Sequence, residues 1–104
     1  MAEKTFRQYV DEIAEEMVRQ LEAHAEEKSG PGAWLDGDPQ RWMSEARHQM
    51  NGLDAEMAEG TPVSVKARAA HVCNFVMMAM QTYMRPFHEA GYPECGGATE
   101  GSDV

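Results

Sequence analysis

Basic side chains are scarce in this 104-residue chain: nine Lys and Arg stand against eighteen Asp and Glu, a formal net charge of −9. Phosphate backbones and anionic lipid surfaces are bound by clustered Lys and Arg, so the expectation is no nucleic-acid and no membrane partner. Cysteine is nearly absent. Cys73, in an apolar run, and Cys95, in a glycine-rich tail, make no disulfide framework, and Cys73 reads as a small buried residue. That usage suits a reducing cytosol, so the expected location is cytoplasmic. No apolar leader is read at the start, where Glu3, Lys4 and Arg7 interrupt. There is no internal repeat and no period-two alternation of the kind that strands require.

A local absence says more. Between Ala69 and Met84 there is no Asp, Glu, Lys or Arg, although 26% of the chain is charged. The stretch is too short and too polar to cross a bilayer, since it contains His71, Asn74, Gln81 and Thr82. A helix apolar on nearly every side needs cover on nearly every side, which makes this the central helix of a small bundle. His71 and Asn74 are three apart and share a face, where they form either a satisfied core pair or the floor of a site.

The remaining residues supply the other helices. Thr5 and Gln8 form a capping box, and Phe6, Val10, Ile13, Met17 and Leu21 make one apolar stripe opposite a solvated acidic face. Ser29-Gly30-Pro31-Gly32 ends that helix. Trp34 follows in a glycine-rich loop, as a plug over the core or a stacking platform. Asp38-Pro39 starts a second helix with the stripe Trp42, Ala46, Met50, Leu53 and Met57, closed by Gly60. Gly52 inside it costs about 1 kcal/mol relative to Ala, which suggests that something approaches the backbone there. Thr61-Pro62 starts the third helix after a very short turn, so helices two and three are antiparallel neighbours. Pro86 ends or kinks the third helix, and a short segment around Phe87-His88 follows. Residues 1–90 read as a single all-α domain and residues 91–104 as a disordered tail.

Counting outward from Gly60-Thr61, the strip Ser44, His48 and Asn51 is expected to meet Arg68, His71 and Asn74, with Arg47 beside His48. Residues 41–85 are slightly basic, which suits a small phosphorylated ligand in an otherwise acidic protein. The expected ligand-binding set is His48, Asn51, Arg68, His71, Asn74, Arg47 and Trp34. No catalytic residue and no metal ligand is assigned. Nine methionines exceed what one small core needs, so an adaptable protein–protein surface or a homo-oligomeric interface is also expected.

The order of features resembles phage-encoded MazG-like proteins over residues 8–84. It runs from an amphipathic helix through a Gly-Trp loop, a helix opening on Trp42 and a short turn to Ala-His-Val-Cys-Asn-Phe-Val-Met-Met at Ala70–Met78. The resemblance implies an all-α bundle of three main helices plus a short C-terminal segment, completed by oligomerisation to a dimer or tetramer. The family cleaves nucleoside triphosphates with Mg²⁺ held by a Glu-Glu-x-x-Glu motif on the second helix and Glu-x-x-Asp on the third. Without a gap, those motifs fall on His48–Gly52 and on Arg68–His71, and no acidic ligand remains at either. The expectation is therefore a catalytically inactive MazG-like protein that needs no cofactor. It would bind or sequester a nucleotide or nucleotide-derived signal, with an anti-defence role in the host cytoplasm if phage-encoded. Two alternatives stand beside it: an active (d)NTP pyrophosphohydrolase with a rearranged, Mg²⁺-dependent site, and a helical protein–protein interaction module.

Overall fold

The computed structural model describes residues 3–27 and 33–91, and every regular element among them is helical. Helix α1 spans Phe6–Glu27, a 3-10 turn covers Ala33–Asp36, α2 spans Pro39–Glu59 and α3 spans Pro62–Glu89. Each start follows from its capping residue. The Gln8 amide N–H donates to Thr5 Oγ1 (3.1 Å), while the Thr5 amide donates to Gln8 Oε1 (2.7 Å). Asp38 Oδ1 accepts from the Gln40 amide at 3.1 Å, with Pro39 opening α2. Thr61 and Ser64 form the same reciprocal box ahead of α3.

Helix α3 is the centre, as its missing charges imply. Both α1 and α2 pack on it, and so does the 3-10 turn, whereas among the described residues the backbones of α1 and α2 stay apart. The buried apolar residues are small: Ala46 on α2 and Ala70, Val72 and Ala79 on α3. Short side chains let two helix axes come close. The α1–α3 seam is polar. Asn74 Nδ2 donates to the Met17 carbonyl (3.2 Å) and to Gln20 Oε1 (3.3 Å), and Gln20 Nε2 donates to the Ala67 carbonyl (2.9 Å). Asn74 and Gln20 are 4% and 7% exposed, so these bonds form out of water.

Three expectations change. Pro86 does not end α3, which runs on to Glu89, so the short C-terminal segment is the helix's last turn. Pro86 lacks only the one N–H that would have gone to residue 82, and near a helix end little depends on that bond. Cys73 is half-buried rather than buried. The third is the core itself: no large side chain among the described residues is fully buried, and Phe6, Val63, Met57 and Tyr83 are well exposed. The expectations for Ser29–Gly32 and for a disordered tail from Tyr92 fall outside the described residues. No described helix is long and apolar enough to cross a membrane.

Candidate functional site

An aromatic cleft opens where α1, the 3-10 turn, α2 and α3 converge. His71, Asn74, Phe75 and Met78 line it from α3; their spacing of i, i+3, i+4 and i+7 puts them on one helix face. Leu21 and His24 line it from the last turns of α1, Trp34 from the 3-10 turn and Trp42 from the first turn of α2. The cavity holds about 220 Å³, below the ~300–1,000 Å³ of drug-sized sites and suited to a single ring system.

The walls are stacked rings. Trp42 and Phe75 lie 5.9 Å apart and 17° from parallel; His71 and Phe75 lie 6.3 Å apart at 20°. His24 and His71 face each other at 6.2 Å. Gly37 makes room for the Trp42 indole, since a Cβ there would stand 2.7 Å from Trp42 Nε1. Arg41 sits over the Trp42 ring, 4.8 Å from its centroid, in a cation–π contact.

Two features give the cleft its polarity. Asn74 spends both its N–H donors on α1, and its Oδ1 is buried with no hydrogen-bond donor among the described residues. A buried carbonyl oxygen left unsatisfied costs about 1–3 kcal/mol, so it is an acceptor awaiting a donor. His71 is held below the usual histidine range first by burial, then by repulsion from His24 and Arg68, with Glu16 opposing. Its imidazole is therefore neutral at physiological pH and can both donate and accept.

The expected set divides. Trp34, His71 and Asn74 do line the cleft. Arg47, His48 and Asn51 are exposed to solvent on α2 and are not among the residues lining the cleft. The outward count across the turn did not give the face: Ala46, next to Arg47, is the buried residue of α2. Arg68 turns toward α2 rather than into the cleft: Nη1 donates to Gln49 Oε1 at 2.6 Å and Nη2 pairs with Glu56 at 3.5 Å. It crosses Gly52, where a Cβ would stand 2.9 Å from the guanidinium. That is the close approach which the mid-helix glycine implied. His24, Trp42 and Phe75 were missing from the expected set. The i+4 spacing of Phe75 from His71 was a usable signal, but nothing local tied His24 on α1 to α3.

The stretch where the resemblance implies Mg²⁺ does not suit that ion. Hard cations take oxygen ligands, and here a guanidinium lies between Gln49 and the Glu56 carboxylate. No group of three or more His, Cys, Asp or Glu among the described residues is placed to hold a metal. No protein-family model, curated protein or solved structure matches this chain.

Proposed function

We propose that this chain binds a nucleotide, or a nucleotide-derived signal, by its base and holds it without hydrolysis. The observation that carries this reading is Asn74, a lining residue of a cleft walled by Trp34, Trp42, Phe75 and His71, whose buried Oδ1 has no donor among the described residues. A flat heteroaromatic ring with an N–H donor answers both demands at once: stacking on the walls and a hydrogen bond to the floor. The cleft's size admits the base alone, so sugar and phosphates lie toward solvent, near Arg41 over the Trp42 ring. Arg68 supports the absence of hydrolysis, because its guanidinium stands where the resemblance implies a metal. The resemblance to phage proteins extends the reading to sequestration of a host signal, by a chain that assembles with itself.

A thermal-shift screen against linear and cyclic nucleotides, with Mg²⁺ and again with EDTA, tests this reading. A ligand at a hundred times its dissociation constant stabilises the fold by about 2.7 kcal/mol. Stabilisation that survives EDTA, with the ligand recovered intact, is the expected result. Mg²⁺-dependent turnover to the monophosphate would instead establish the pyrophosphohydrolase alternative.

A further inference from the structure

Helix α3 has a third face that neither α1 nor α2 covers. Asn74 and Met78 point to the cleft, whereas Val76 and Tyr83 lie roughly half a turn further round the helix. On that side Val76, Met80 and Tyr83 are 46%, 51% and 59% exposed. Phe87 meets Tyr83 at the end of the row, their rings tilted at 45° with centroids 5.4 Å apart. Three large apolar side chains in one row, each about half in water, are not a scatter of surface residues.

Their spacing identifies what fits them. Ala69, Cys73, Val76, Met80, Tyr83 and Phe87 are separated by four, three, four, three and four residues. That alternation is the 3.5-residue repeat by which one helix seats its side chains between those of another. The flanking positions Ala70, Met77 and Met84 on one side and Val72, Ala79 and Pro86 on the other carry no charge. The occupant is therefore a helix with an equally long uncharged seam. Residues 92–104 contain Tyr92 and Val104 but no helical apolar repeat to match that seam. An anionic lipid surface is disfavoured by the net charge of −9.

We infer that the face is covered by α3 of a second copy, the two helices packing seam to seam about a two-fold axis. The same repeat is then presented from both sides, which is the self-complementarity that a two-fold interface requires. From Ala69 to Phe87 the seam is about 27 Å long. A helix laid along it removes on the order of 600 Å² from each chain, close to the ~1,200 Å² total at which stable interfaces begin. The interface lies on the side of α3 away from the cleft, so each copy keeps its cleft open.

Sedimentation equilibrium on the full chain tests this directly. The expected mass is at least twice 11.6 kDa, and Met80→Glu should halve the apparent mass while leaving the far-UV helical signal unchanged. Tyr83→Lys, at the most exposed of the three positions, should do the same and serves if Met80→Glu fails to fold. A wild-type chain that stays at monomer mass at high micromolar concentration overturns the inference. So does a folded variant of either kind that keeps the wild-type mass.

Discussion

Asn74 holds two positions at once. Its amide nitrogen fastens α3 to α1 through Met17 and Gln20, and its amide oxygen is buried without a donor among the described residues. Asn74→Leu removes the first role and leaves Gln20 Oε1 without that donor in a buried seam. The expected cost is about 1–3 kcal/mol in urea denaturation. His71 gives a pH signature whose sign follows from its burial. Its folded-state value is lowered from the ordinary 6.5, so the unfolded chain takes up the proton first as pH falls. Stability from this group is complete above 6.5 and is lost as pH drops below it. His71→Gln should flatten the melting temperature between pH 7.5 and 5.5. A lower window belongs to Glu16, whose carboxyl is lowered to about 2, mainly by hydrogen bonds from Arg19 and Gln20. That contribution is present above 4.5 and is lost between 4.5 and 2. Gly52→Ala pits a gain in helix propensity of about 1 kcal/mol against displacement of the Arg68 guanidinium. Since partly exposed charge pairs contribute roughly 0–1 kcal/mol, slight stabilisation is expected in the same denaturation assay.

At the level of elements, the caps were legible because each is a local code: Thr5 with Gln8, Asp38 with Pro39, Thr61 with Pro62. Thr61→Ala should cost about 1 kcal/mol, read as a shifted urea midpoint. The central place of α3 was legible from its missing charges, and Gly52 from its cost. The site was legible only in part. Trp34, His71 and Asn74 reach the cleft, but His24 joins them through the crossing of α1 over α3, which no spacing within one helix encodes. Arg47, His48 and Asn51 were misplaced because a count across a turn gives level along a neighbour and not the face turned toward it. Helix α1 also has two unequal halves. Gln20 and His24 anchor its C-terminal half, whereas Phe6 and Val10 are 90% and 59% exposed despite belonging to its apolar stripe. Amide hydrogen exchange should be faster over residues 6–12 than over residues 17–24.

For the whole molecule, small buried residues and large exposed ones describe a fold whose helices are placed by a single chain but whose apolar surface is not used up by it. If copies pair along α3, assembly and stability are one equilibrium. The melting temperature should then rise with protein concentration, and Met80→Glu should abolish that dependence.

Among the described residues the backbone of α1 approaches α3 and not α2, and the cleft lies across that approach. An occupant there is a rivet between α1 and the α2–α3 hairpin. The empty chain is then the one a protease can pry open, and the filled chain is the one that lasts. If the proposed ligand binds there, abundance in a cell would follow its supply.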